Sequence, residues 1–304
     1  MKIFFNEKLR KGPWGGGVSF LSNFVQELKE KGHDIVFSLK KKIDLIFILS
    51  NSKPLDEKIF EYKKKYPETK VIHRINECDK RKNTNNVDVL IFKSNQIADQ
   101  TVFISKWLAQ YFIDKGFTKS YHVIYNGCNE NYFFPIDNKK IDGRIKLITH
   151  HWSDNWMKGF DIYNQLDKLL EERNDIEFTY IGRYNPDYKP RNINMIPPLY
   201  GIELGNELRK HDIYLTASRW EPCGMHHIEG ARCGLPVLYH RDGGGINESC
   251  KYYGIEYQDM TSLVNGIEII KKSYNDYRNK IRYDFLSSKR NCDEFYNIIL
   301  KMFE

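Results

Sequence analysis

Short apolar runs alternate with stretches of helical periodicity along the whole chain, and this alternation constrains the fold more than any other feature of the sequence. Strands that each return through a helix pair in parallel, with right-handed crossovers, and the sheets they form need helices on both faces. In the first half, Lys2 to Phe5 reads as a strand, followed by a loop ending in Gly15-Gly16-Gly17. Val18, Leu21, Phe24, Val25 and Leu28 then recur at helical spacing, and Gly32 supplies a stop. Ile35 to Leu39, Leu45 to Leu49 and Lys70 to Ile75 are further strand candidates, with a helix over Asp56 to Lys65. Val87 to Phe92 and Thr101 to Ile104 are apolar, and a helix is expected from Ser105 to Lys115. Tyr121 to Gly127 reads as a strand closed by an Asn-Gly turn, and the first domain is expected to end there.

The second half repeats the rhythm. Strands are expected at Ile145 to Thr149, Glu177 to Ile181, Ile213 to Ala217 and Val237 to His240. Helices are expected at Gly159 to Glu172, Glu203 to Lys210, Met225 to Cys233, Thr261 to Lys272 and from Asp276 onward. The chain therefore reads as α/β, with two open, mainly parallel sheets whose ligand crevices lie at the carboxyl ends of the strands. The expected division is residues 1–127, residues 128–285, and a C-terminal helix over 286–304 that packs back on the first domain.

A length of 304 residues suits two domains, and 41% hydrophobic against 29% charged residues suits a packed globular chain. The net charge of +7 is unevenly placed. Residues 1–127 carry 23 basic and 14 acidic side chains, and the remainder carries 24 and 26. A basic first half and a near-neutral second half point to different partners for the two. No apolar run approaches the roughly 18 residues that cross a bilayer, and Asn6, Glu7, Lys8 and Arg10 interrupt any secretory signal. A cytoplasmic protein with at most peripheral membrane contact is expected. The six cysteines form no C-x-x-C pair, so they read as buried thiols rather than metal ligands or disulfides. Lys40 to Lys42 and Lys63 to Lys65 read as solvated faces, with contact to anionic lipid or an acidic glycan as the alternative.

The densest local signal is the run from Ser218 to Pro236, laid over a strand, a loop and a helix. Glu221 falls on the loop, Gly224 allows close backbone approach, and the amides opening the next helix make an anion site. Glu229, one turn on, is placed to accept from vicinal hydroxyls. Amides for a diphosphate and carboxylates for hydroxyls suit a sugar nucleotide. The plainer reading is a helix cap with a solvated glutamate. Taken alone, Gly15 to Gly17 fits a flexible loop as well as a phosphate cradle, and His73 fits a hydrogen-bonded core histidine. His226 with His227, and His150 with His151, are sequence neighbours that diverge, which argues against a joint metal site. Asp242 to Gly245 with Glu248 reads as a turn or as one wall of the same pocket.

Glu221 and Glu229, with seven residues between them and followed by Cys233-Gly234-Leu235-Pro236, resemble the E-x7-E motif of glycosyltransferase family 4. The N-terminal strand with its glycines, Ala98 to Lys106, Val123 to Cys128 with Phe134-Pro135, and Lys158-Gly159 resemble other segments of that family, in the same order. The resemblance implies the GT-B fold, two Rossmann-like βαβ domains facing each other across a cleft. It implies that Glu221 meets the transferred sugar, Glu229 the ribose hydroxyls and Lys158 the leaving diphosphate. Amides at Gly224 and Met225 would bind phosphate or sugar, Gly16 and Gly17 would close over the phosphates, and His73 would meet the sugar from the first domain. The family's arginine ahead of that lysine is missing from Thr149 to Asn155: either another cation replaces it, with Arg183 and Arg219 as candidates, or the phosphates are held more by amides.

What the resemblance implies is a retaining transfer without a metal or other cofactor. A hexose, mannose from GDP-mannose by preference and otherwise from a UDP-sugar, would move to a glycan, lipid-linked or protein-linked acceptor. The basic first half would serve an anionic or bulky acceptor. Two alternatives belong to other classes. A nucleic-acid-binding protein would use the basic half, but aromatic residues are not interleaved with the lysines, so no nucleic-acid partner is expected. A Rossmann oxidoreductase would need a dinucleotide fingerprint, which the first loop lacks.

Overall fold

In a computed structural model, residues 1–12, 14–39, 42–50 and 53–304 are described. Lys40 and Lys41 of the first lysine run lie outside the described residues. The chain forms two compact units. One comprises Met1–Lys11, Gly17–Tyr125 and Lys289–Glu304, and the other Gly12–Gly16 and Asn126–Ser288.

The first unit contains β1 (Lys2–Phe5), α1 (Gly16–Glu30, from Gly17 on), β2 (Asp34–Val36), β3 (Leu45–Leu49), α2 (Glu57–Lys65) and β4 (Lys70–Ile75). There follow α3 (Asp79–Lys82), α4 (Val87–Asn95), β5 (Gln100–Phe103), α5 (Lys106–Ile113) and β6 (His122–Val123). Its strands pair in parallel in the order β2-β1-β3-β4-β5-β6. All five residues of β3 are buried, as expected of a strand covered on both faces. α1 turns Phe20, Leu21, Phe24, Val25 and Leu28 inward.

The second unit contains β7 (Ile145–His151), α6 (Phe160–Leu169), β8 (Ile176–Gly182), β9 (Asn194–Ile196), α7 (Gly201–Arg209) and β10 (Ile213–Thr216). It continues through α8 (Met225–Arg232), β11 (Val237–His240), α9 (Ile246–Cys250), β12 (Gly254–Tyr257), α10 (Met260–Lys272) and α11 (Tyr274–Asn279). The strand order is β12-β11-β10-β7-β8-β9, again parallel. From β7 the chain proceeds toward one edge of the sheet and from β10 toward the other. That reversal opens a crevice beyond the carboxyl ends of β7 and β10. The last helix, α12 (Ser288–Phe303), runs through the first unit from Lys289 on.

The structure departs from the sequence pattern in several places. Val87 to Phe92 lies within helix α4, because the buried Asp79 carboxylate accepts from the Val87 and Asp88 amides and caps that start at 2.9 and 3.2 Å. The strand expected to Leu39 ends at Val36, and the one expected over Tyr121 to Gly127 is two residues long. The helix expected from Asp276 onward is broken between α11 and α12, where Leu286 and Ser288 bond through their backbones to Cys128. No described helix is long and apolar enough to cross a membrane.

α12 supplies Phe295 to the first unit's aromatic cluster, with ring centroids 5.1, 5.7 and 5.5 Å from Phe20, Phe24 and Phe47. Because Phe295 is fully buried, Phe295→Ala leaves a cavity and is expected to cost about 3–5 kcal/mol, read as a lowered unfolding midpoint in urea.

Candidate active site

The crevice of the second unit is furnished from four loops. After β7 the chain makes a 3-10 turn, Trp156–Lys158, capped by Asn155 Oδ1 accepting from the Met157 amide at 2.8 Å. Gly159 follows with φ +94°, and a Cβ there would lie 2.2 Å from Ala217 Cβ and 2.4 Å from its carbonyl oxygen. Only glycine lets this turn sit against the end of β10. Lys158 is thereby buried, with Nζ donating to Glu221 Oε2 at 2.7 Å.

Glu221 is held from both sides in sequence. Trp220 before it adopts φ +54°, a conformation rare for a large side chain. The loop after β11 straps its backbone: the Trp220 amide donates to Asp242 O at 2.7 Å, the Glu221 amide to Gly243 O at 3.1 Å, and the Gly245 amide to Glu221 O at 2.8 Å. Glu221 thus has a fixed backbone and a carboxylate already engaged by a cation.

Glu229 stands on α8 and accepts from His150 Nε2 at 2.6 Å. His150 receives the Tyr214 hydroxyl at Nδ1, 3.1 Å away, so its proton sits on Nε2 and faces the carboxylate. The N-cap of α8 is Gly224, with no side-chain hydrogen bond, which leaves the opening amides without a capping side chain. A Cβ at Gly224 would lie 2.5 Å from His226 Cε1 and 3.0 Å from Glu221 Cγ. The helix start, its dipole and Lys158 together favour an anion. The Ser218 hydroxyl, just beyond β10, is buried and has no partner among the described residues.

The glycine loop belongs to this unit through Gly12–Gly16. Gly15 lies against Trp152, Gly16 against Met225, and the Arg183 guanidinium stands 5.7 Å from the Trp14 ring centre.

No family model matches the chain. Among curated proteins, it is 24% identical over 223 residues to the glycogen synthase of Alkaliphilus metalliredigens, covering 60% of this chain and 44% of that one. It is 30% identical over 127 residues to a Clostridium acetobutylicum protein described as a UDP-N-acetylglucosamine 2-epimerase, covering 37% of this chain and 32% of that protein. The chain therefore spans less than half the length of either relative. Among solved structures, sucrose-phosphate synthase from Thermosynechococcus elongatus superposes with a TM-score of 0.75 at 12% identity, covering 99% of both chains. Anabaena HepE in complex with UDP-glucose gives 0.73 at 14% identity, covering 99% of this chain and 100% of the other. WaaG, a glycosyltransferase of lipopolysaccharide biosynthesis, gives 0.62 at 12% identity, covering 96% and 94%.

The chain has the GT-B fold. Within its second GT-B unit the structure gathers Lys158, Glu221, Gly224, Met225 and Glu229, with Gly16 against Met225. Arg183 is exposed at the end of β8, its amide donating to His151 O at 3.0 Å. Arg219 is clamped by both oxygens of Asp161, at 3.0 and 2.6 Å. Of the two candidate cations, Arg183 is therefore the one not committed to a carboxylate clamp. Gly17 lies in the first unit, with open space where a Cβ would stand. His73 also lies there, fully buried on β4, its Nε2 2.7 Å from Ser50 Oγ and its Nδ1 3.0 Å from Asn95 Nδ2. The sequence reading passed over Ser218 and the pairing of His150 with Glu229. Placing His150 at the end of β7, across from α8, is the signal that would have found it.

Two outcomes follow for this site. Gly159→Ala forces a strained φ and a clash with Ala217, so it should displace the turn that holds Lys158 and lower the melting temperature. Burial lowers the pKa of His73 and His227 from 6.5 to about 3, and holds that of His226 well below its ordinary value. The unfolded chain thus takes up protons that the folded chain refuses. Stability is full above about pH 6.5 and is lost as pH falls toward 3, and His227→Gln should flatten that decline in melting temperature.

Proposed function

We propose that the protein is a retaining, metal-independent glycosyltransferase of the family 4 type, moving a sugar from a nucleoside diphosphate donor to a hydroxyl acceptor. The observation that carries this reading is the convergence of Lys158, Glu221, Glu229 and the α8 amides beyond β7 and β10. In it, the diphosphate lies on the α8 amides and draws Lys158 Nζ away from Glu221. The freed carboxylate of Glu221 then accepts from the sugar hydroxyls, and Glu229, aimed by His150, accepts from the ribose. Arg183 is the proposed second phosphate cation, and Gly16 brings the glycine loop to the same anion. His73, with both ring nitrogens bonded inside the first unit, is given no direct part in the step.

In the proposed step the bond from the anomeric carbon to the phosphate oxygen breaks. The acceptor oxygen bonds to that carbon on the same face, and its proton passes to the departing phosphate. Lys158 and the amides stabilise charge that grows on the leaving group only as the bond breaks, which is how a fixed cation accelerates transfer. The proposed acceptor is an anionic or bulky hydroxyl compound taken by the basic first unit, in a cytoplasmic or peripherally membrane-bound protein. For the donor, the relatives' names favour a UDP-sugar, and GDP-mannose is the sequence-based expectation to be tried beside it.

A panel of nucleoside diphosphate sugars should give selective thermal stabilisation by one donor. With that donor, Lys158→Ala should lower kcat by on the order of 10²–10³, while Glu229→Ala should chiefly raise the donor KM. Stabilisation by no donor, together with unchanged binding in both variants, sinks the reading. The similarity to the epimerase favours a second reading, and it has its own signature: the donor incubated alone would yield its epimer instead of needing an acceptor.

A further inference from the structure

The first unit holds a cavity of about 550 Å³ at the carboxyl ends of β1, β2 and β3, bounded by the starts of α2 and by α4. This is the switch point of its sheet, since the chain leaves β1 toward β2 and leaves β3 toward β4 on the opposite side. The size falls within the roughly 300–1,000 Å³ of small-molecule sites. Phe4, Phe37, Ile48, Leu55, Ile59 and Leu90 give it apolar walls.

One polar group in that wall has a defined direction. Asn95 Nδ2 donates to His73 Nδ1 at 3.0 Å and to Thr101 Oγ1 at 2.9 Å. Nδ1 is then an acceptor, so the proton of the neutral ring sits on Nε2 and is given to Ser50 Oγ at 2.7 Å. Ser50 lines the cavity and is itself only 7% exposed. Its oxygen is already accepting, and its own hydroxyl proton meets no acceptor among the described residues. The chain Asn95, His73, Ser50 therefore ends in a donor at the cavity wall.

Basic side chains outnumber acidic ones at the cavity, three to two. Asp56 spends its carboxylate on the Lys58 amide at 3.0 Å as the α2 cap, and Glu7 faces Arg10 at 3.9 Å. Lys8, Lys53 and Lys58 line the same cavity and are exposed. We infer that this cavity binds a small amphiphilic anion, with its apolar body against the walls, an oxygen acceptor on Ser50 and its negative charge met by the lysines. The inference does not depend on the transfer reading, because it concerns binding by the first unit alone.

The test is calorimetric titration of the full chain with 1-naphthyl phosphate, with inorganic phosphate and 1-naphthol as the charged and apolar halves of that probe, and with phosphatidylglycerol vesicles in sedimentation. One-to-one binding of 1-naphthyl phosphate, about tenfold or more tighter than either half and without vesicle capture, is expected. Leu90→Trp, which fills the cavity, should abolish it. Ser50→Ala should weaken it by about tenfold and the surface variant Lys58→Glu by about fivefold. Equal binding of inorganic phosphate, unchanged binding in Leu90→Trp and Lys58→Glu, or capture by vesicles in place of the soluble probe overturns the inference. If Leu90→Trp fails to fold, Ser50→Ala and Lys58→Glu decide it.

Discussion

Taking a carboxylate out of water costs several kcal/mol unless a cation or several donors meet it. Three carboxylates of the second unit satisfy that constraint with one base each: Glu221 with Lys158, Glu229 with His150, and Asp161 with Arg219, at 2.7, 2.6 and 2.6 Å. The contacts do more than satisfy the carboxylates. Each joins a residue following β10 to one that follows or ends β7, so together they stitch the two strand ends whose divergence creates the crevice. Lys158 is thereby desolvated and held in place beside Glu221.

The backbone cooperates with those charges at a few costly positions. Trp220 is held in the left-handed region by the strap from Asp242 to Gly245. Such conformations persist where the surroundings over-determine them, and here the strained residue is the immediate neighbour of Glu221. The histidines show a different economy. His73, His226 and His227 are buried, and their bonds to the Ser50, Thr216 and Ser249 hydroxyls make them polar spacers within the core. Burial keeps His73, His226 and His227 uncharged, so their geometry does not change across the ordinary range of pH.

Much of this was legible in the chain itself. The alternation of apolar runs and helical stretches announced two parallel sheets, because parallel strands are buried on both faces and leave uninterrupted hydrophobic signatures such as Leu45 to Leu49. Lys158-Gly159, Glu221 and Glu229 stood out because their spacing is local, set within single turns and loops. What escaped was decided by tertiary contact. Val87 to Phe92 has a composition that suits a strand, and the helix it forms starts on amides that the Asp79 carboxylate, eight residues back, accepts from. β9 and β12 are short and half-exposed edge strands, too weakly patterned to stand out. The partnership of His150 with Glu229 spans 79 residues, and no spacing rule reaches that far. Gly12–Gly16 lies in sequence between β1 and α1 yet packs with the second unit, against Trp152 and Met225.

The contribution of α12 to the first unit has a consequence for how the chain comes into being. Phe295 closes the cluster formed by Phe20, Phe24 and Phe47, and it is made only after the whole of Asn126–Ser288. The earlier segments of the first unit therefore emerge with an aromatic face that lacks Phe295 while more than 160 further residues are made. Domains ordinarily mature in the order of their synthesis. Here the first unit to be started is the last to be finished, and the second is enclosed, in time, within the first.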